Sequence, residues 1–124
     1  MRDGKYVILA IDDDADILEA LRLVLEAHGY EMIEAVTAEE GLRVYKANKP
    51  DLIIVDLMME EVDAGVNFVK EVKLLGPKPP IYMLTSVGDD LNETISYSDI
   101  GVDGVFQKPV DNNTLLKVIK TKLG

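Results

Sequence analysis

Leu52-Ile53-Ile54-Val55 is an unbroken run of four β-favouring apolar residues, closed at once by the carboxylate of Asp56. A half-exposed strand alternates polar and apolar side chains, whereas an unbroken run marks a strand covered on both faces, as in a parallel sheet flanked by helices. In open α/β sheets ligands and chemistry collect at the carboxyl ends of the strands. Asp56, at such an end, is therefore the first residue to consider for function.

The rest of the chain alternates as that strand requires. Tyr6 to Ile11 reads as a buried strand running into Asp12-Asp13-Asp14. Ile17, Leu18, Leu21, Val24, Leu25 and His28 then recur at helical spacing, with Asp13 or Asp14 as cap and Gly29 as terminator. Tyr30 to Ala35 is a more alternating strand, suited to a place nearer the sheet edge. Thr37-Ala38-Glu39-Glu40 is a capping box for a helix ending before Pro50. After Asp56, a loop from Leu57 to Asp63 leads into a helix whose apolar side is Val66, Phe68, Val69, Val72 and Leu75, stopped by Gly76-Pro77. Pro80 to Thr85 is a fourth strand, and Asp89 to Ile100 a helix built of poor helix formers. Val105-Phe106-Gln107 is a short fifth strand, and Asp111 caps a last helix carrying Leu115, Leu116, Ile119 and Leu123. Five strands alternating with helices through short connections predict a doubly wound parallel sheet with helices on both faces.

Size and charge narrow the function. A chain of 124 residues suits one domain, taken here as 1–124. With 23 acids against 13 bases, its net charge of −10 offers no field for a phosphate backbone, so direct nucleic-acid binding is not expected. No cysteine is present, which removes disulfides, thiolate metal sites and cysteine nucleophiles. The apolar run Tyr6 to Ile11 is too short for a signal peptide or membrane span, and a cytoplasmic location is expected.

Asp12, Asp13 and Asp14 follow the first strand, Asp56 the third, Thr85 and Ser86 the fourth, and Lys108 the fifth. If the strand order is 2-1-3-4-5, the first and third strands adjoin at the switch point and bring Asp12, Asp13 and Asp56 into one crevice. Two carboxylates about 4 Å apart repel by roughly 4 kcal/mol at an effective dielectric near 20, so such a cluster must recruit a cation, protonate or separate. An all-oxygen pocket with two or three acids suits Mg²⁺, and Lys108 can hold one more anionic oxygen. These are the parts of phosphoryl transfer: an oxygen nucleophile, a metal and an opposing cation. Asp56 stands alone at its strand end and is the better nucleophile; the first-strand acids are bunched like ligands.

The acidic run after Ile11, Asp56-Leu57-Met58-Met59, Leu84-Thr85-Ser86 and Lys108-Pro109 occur in the order found in the bacterial response-regulator family, and the chain resembles a receiver domain of that family over essentially its whole length. The resemblance implies the flavodoxin-like order 2-1-3-4-5 and a phosphoryl group passed to Asp56 from a sensor histidine kinase or phosphotransfer protein. It further implies Mg²⁺ bound by Asp13, Asp56 and the Met58 carbonyl, with Asp12 reaching the ion through water, Thr85 as switch hydroxyl, and Lys108 followed by a cis proline. An output partner would read the fourth helix, fifth strand and last helix, and homodimerisation is a further expectation. The domain assists its own phosphorylation and dephosphorylation without turning over an external substrate, so it is not expected to be an enzyme.

Three departures stand out. The family's aromatic three residues before the lysine is replaced by Val105, with Phe106 one place later; Glu60 occupies a position where proline is common; and Asp63-Ala64-Gly65 is one residue longer than the usual aspartate-glycine pair. The rival reading is a phosphatase of the haloacid-dehalogenase type, since Asp12-x-Asp14 also ends a first strand, although Asp16 stands where that family has threonine. His28, the single histidine, reads as a surface residue at a helix end. Tyr97 and Val118 are either packing or contacts of the output face.

Overall fold

In a computed structural model, residues 4–56, 64–85 and 101–123 are described. The elements are β1 (Val7–Ile11), α1 (Ala15–Ala27), β2 (Glu31–Ala35), α2 (Ala38–Asn48), β3 (Leu52–Asp56), α3 (Ala64–Leu74), β4 (Ile81–Thr85), β5 (Gly104–Gln107) and a C-terminal helix, α4 (Asn112–Leu123). All strand pairs are parallel and the order is β2-β1-β3-β4-β5, as expected. The Leu57 to Asp63 loop, with Met58, Glu60 and Glu61, lies outside the described residues, as do Ser86 and the Asp89 to Ile100 helix with Tyr97.

Alternation along the buried strands sorts side chains into two layers. Leu9, Ile11, Ile53, Val55, Ile81 and Met83 face Val66, Phe68, Val69 and Val72 of α3, with half-buried Leu42 and Tyr45 of α2 against them. Ile8, Ala10, Leu52, Ile54, Tyr82, Leu84 and Phe106 face Leu18, Leu21 and Leu25 of α1 and Leu115 and Ile119 of α4. Truncating any one of the fully buried Leu or Ile side chains to Ala would cost about 2–5 kcal/mol. Val118 packs against this second layer, half-buried.

Local chemistry sets the helix ends. Asp14, rather than Asp13, caps α1: it is extended and its side chain accepts from the Asp16 N–H at 2.9 Å. Thr37 Oγ1 accepts from Glu40 N–H, and Glu40 reaches back to the Val36 N–H at 2.8 Å, one residue before the cap itself. Asp111 accepts from both the backbone N–H and the hydroxyl of Thr114, which lowers its pKa. One apolar-face assignment is corrected. Leu75 lies one residue past α3 and is 51% exposed, because Gly76 turns the chain away with φ +121°. His28 is exposed at the end of α1, with Nδ1 2.9 Å from the Val24 carbonyl oxygen.

The strand starts are fastened by side chains. Asp51, just before β3, accepts from the Val7 N–H that opens β1, and Asp103, just before β5, accepts from the Ile81 N–H that opens β4, each at 2.8 Å. A second close approach fixes α2: a Cβ at Gly41 would lie 2.5 Å from Ile11 Cδ1, so only glycine lets this helix sit so near β1.

Candidate functional site

Strand register assembles the site. Ile11 pairs with Val55, so Asp12 and Asp56 leave the sheet at the same level. Asp56 pairs with Leu84 and Thr85 with Gln107, which places Thr85 and then Lys108 just beyond Asp56 at the same end. The backbone N–H of Lys108 donates to the Thr85 carbonyl at 2.6 Å. The Lys108-Pro109 peptide is cis.

Each expected acid of the described residues reaches the crevice. One carboxylate oxygen from each of Asp12, Asp13 and Asp56 lies within 4.8 Å of the others. Asp12 and Asp56 are buried, as is Thr85, whereas Asp13 is exposed. Lys108 spans the two buried acids, with Nζ 3.1 Å from Asp12 Oδ2 and 3.3 Å from Asp56 Oδ1. Burial alone would push the Lys108 pKa down, but the contacts and negative charge of Asp12 and then Asp56 outweigh it and raise the value. The other oxygen of Asp12 accepts from the Asp14 N–H at 2.9 Å, and the Asp12 N–H donates to the Ala35 carbonyl.

These residues fit a hard divalent cation. Asp12 Oδ2, although in ionic contact with Lys108, takes no directed hydrogen bond among the described residues, so a fully buried carboxylate oxygen keeps acceptor capacity. Three acids and one lysine leave a local excess of negative charge, and the available donors are all oxygens, the set that Mg²⁺ prefers. Asp14, the other half of the Asp12-x-Asp14 pair, is spent on capping its own helix. This leaves the paired-aspartate phosphatase arrangement without its second acid.

The aromatic departure also has a structural outcome. Phe106 is buried in the α1/α4 layer with its ring centroid 5.3 Å from that of Tyr82, while Val105 packs on the opposite layer. Strand alternation therefore bars Phe106 from standing in for an aromatic at 105. The family resemblance implies a water-mediated part for Asp12 at the metal; its direct contact with Lys108 follows from being the first residue past β1, level with Asp56.

A doubly wound parallel sheet whose switch-point crevice gathers three aspartates, two of them bridged by one lysine, defines a class. The family described as "Response regulator receiver domain" matches residues 8–120, and the chain belongs to it. The transcriptional regulatory protein GlrR of Escherichia coli is 35% identical over 116 residues, covering 94% of this chain and 26% of that protein. PhoP of Bacillus subtilis, an alkaline phosphatase synthesis transcriptional regulatory protein, is 33% identical, covering 82% of this chain and 42% of PhoP. The chain thus spans only a quarter to a half of such relatives. Among solved structures, the chemotaxis response regulator CheY4 of Vibrio cholerae superposes with a TM-score of 0.85 at 30% identity, covering 97% of this chain and all of that one. A response regulator from Chloroflexus aurantiacus gives 0.86 at 33% identity, covering 97% and 98%. The protein is accordingly a regulatory receiver domain of two-component signalling.

Proposed function

We propose that Asp56 accepts a phosphoryl group from a phosphohistidine on a sensor kinase or phosphotransfer protein, and that residues 1–124 act as one regulatory domain. The observation that carries this reading is the Lys108 ammonium bridging Asp12 and Asp56 inside a three-acid cluster. An Asp56 carboxylate oxygen attacks phosphorus, the phosphorus–nitrogen bond breaks, and the histidine leaves with its electron pair. Lys108 holds one phosphoryl oxygen and the Thr85 hydroxyl donates to another. Bound Mg²⁺, held by Asp13, Asp56 and the Met58 carbonyl with Asp12 behind them, would neutralise charge on the phosphoryl oxygens. Water later attacks the acyl phosphate, returning the Asp56 carboxylate and inorganic phosphate. No external substrate is turned over, so the domain is a switch and not an enzyme.

Moving a population from 1:99 to 99:1 needs about 5.5 kcal/mol of differential interaction. Two charge-assisted hydrogen bonds, from Thr85 and Lys108, contribute roughly 1.5–3 kcal/mol each and supply most of it. The surface they redraw is that of the fourth helix expected over Asp89 to Ile100, β5 and α4, read by an output partner, a linked domain or a second copy. The absence of a basic surplus in the sequence argues that any DNA contact belongs to a partner or linked domain. The proposed site of action is cytoplasmic; no helix among the described residues is long and apolar enough to cross a membrane.

Incubation with acetyl phosphate and Mg²⁺ should add one phosphoryl group to the chain, with peptide mapping locating it on Asp56, and Asp56→Asn should abolish it. Modification of Asp12 instead, or uptake that survives Asp56→Asn, would overturn the reading.

A further inference from the structure

At the end of the sheet opposite Asp56, where the strands begin, a cavity of about 590 Å³ opens between the end of α2 and the turn from α3 into β4. Its walls include Lys46, Lys49, Lys78, Leu75 and Tyr45, with Asp51 the one acid among them. The Asp51 carboxylate is engaged by the Val7 N–H, and Lys78 lies 3.6 Å from Asp103. Lys46 and Lys49 are exposed and form no ion pair among the described residues. In a chain with ten more acids than bases, three ammonium groups around one cavity run against the overall field. Lys49 closes α2 in the left-handed region with φ +47°, a position where glycine is the residue of least strain, so the turn itself does not call for its side chain. Among these cations the lining is partly apolar, with Leu75 51% exposed beside Pro77 and Pro79.

We propose that this cavity docks an acidic peptide segment of another protein, with an apolar side chain against Leu75 and Tyr45 and flanking carboxylates on Lys46, Lys49 and Lys78. The chemistry selects that occupant. A lone phosphate would satisfy the lysines and leave Leu75 wet, and an apolar helix would strip water from the ammonium groups without pairing them. A segment alternating acidic and apolar residues satisfies both, and its binding leaves the Asp56 end of the sheet free.

The test uses the full chain and a fluorescein-labelled peptide of alternating Glu and Leu, followed by anisotropy at low salt. Wild type should bind, and the double variant Lys46→Glu/Lys49→Glu should lose about tenfold or more in affinity. The double variant Lys117→Glu/Lys120→Glu on α4, which makes the same change in net charge at exposed positions, should stay within about twofold. Far-UV circular dichroism should be unchanged in both, and phosphoryl uptake at Asp56 should be unchanged in Lys46→Glu/Lys49→Glu, since neither lysine belongs to the phosphorylation site or to α4. No binding by wild type, equal losses in the two double variants, or equally tight binding of a Glu/Ser peptide would each overturn the proposal. Tighter binding of inorganic tripolyphosphate at Lys46 and Lys49 would replace it with a plain anion site.

Discussion

Lys108 donates its backbone N–H to the Thr85 carbonyl across 2.6 Å, so two residues at the end of the sheet that holds Asp56 are joined through the main chain before any ligand arrives. The link uses the carbonyl of Thr85 and not its hydroxyl, and the two roles are therefore separable. Thr85→Val should keep the link and, because it removes a hydroxyl from a buried position, change stability by about 0.5–1.5 kcal/mol. It should also remove one of two donors to a bound phosphoryl mimic. The rise in Tm produced by beryllofluoride with Mg²⁺ should fall to roughly half the wild-type rise. An undiminished rise would remove Thr85 from the switch.

Lys108 predicts a pH dependence. Its pKa is raised above the ordinary 10.5. A folded-state pKa above the unfolded one gives stability that is fully present below pH 10.5 and is lost as pH rises through the folded value. Chemical denaturation from neutral pH into this alkaline range should show a loss in wild type that is reduced in Lys108→Met. At neutral pH the variant should be the less stable protein, because two buried acids lose their shared cation. Parallel alkaline profiles for the two proteins would contradict the pairing.

Asp13 adds a third acid within 4.8 Å of two others while remaining exposed. Asp13→Asn should relieve repulsion and raise stability by about 1 kcal/mol in metal-free buffer, a value kept small by solvent screening. Millimolar Mg²⁺ should raise the Tm of wild type and have much less effect on this variant, because the site has lost an oxygen anion. Since the chain has no tryptophan, calorimetric titration is the direct readout of binding. Equal Mg²⁺ responses would place the ion elsewhere.

Gly41→Ala should destabilise the fold although alanine is the better helix former. The propensity gain is about 1 kcal/mol, whereas the new Cβ would meet Ile11 Cδ1 at 2.5 Å and Cγ1 at 3.1 Å in a close-packed layer. With overpacking at about 1–3 kcal/mol, a net loss of up to about 2 kcal/mol is expected from urea unfolding. Ile11 immediately precedes Asp12, so weaker Mg²⁺ binding should accompany it. A stabilised variant would show that α2 can move away freely.

Most of the sheet was legible because its strands are written in the least ambiguous form a sequence has. Uninterrupted apolar runs such as Leu52 to Val55 name buried strands, and carboxylates or hydroxyls at their ends name the functional edge. What was not legible has identifiable causes. Leu75 continues the α3 spacing by one residue, but the backbone after Leu74 has already turned. The choice between Asp13 and Asp14 as cap depends on which of two adjacent backbones is extended, which composition does not encode. The partnership of Asp12 with Lys108 spans almost the whole chain and exists only once β1, β3, β4 and β5 are in register. That Phe106 and Val105 belong to opposite layers follows from strand phase alone, but the phase of a four-residue strand is set by its neighbour β4.

The Lys108 bridge carries one more consequence. Because the ammonium is already shared between two carboxylates, an arriving anion does not find a vacant cation; it exchanges with partners in place. Under the proposed phosphorylation, the Lys108 share of the free-energy gap is then a difference of similar attractions, smaller than the full strength of the new bond, which favours a device that resets easily over one that locks after its first use.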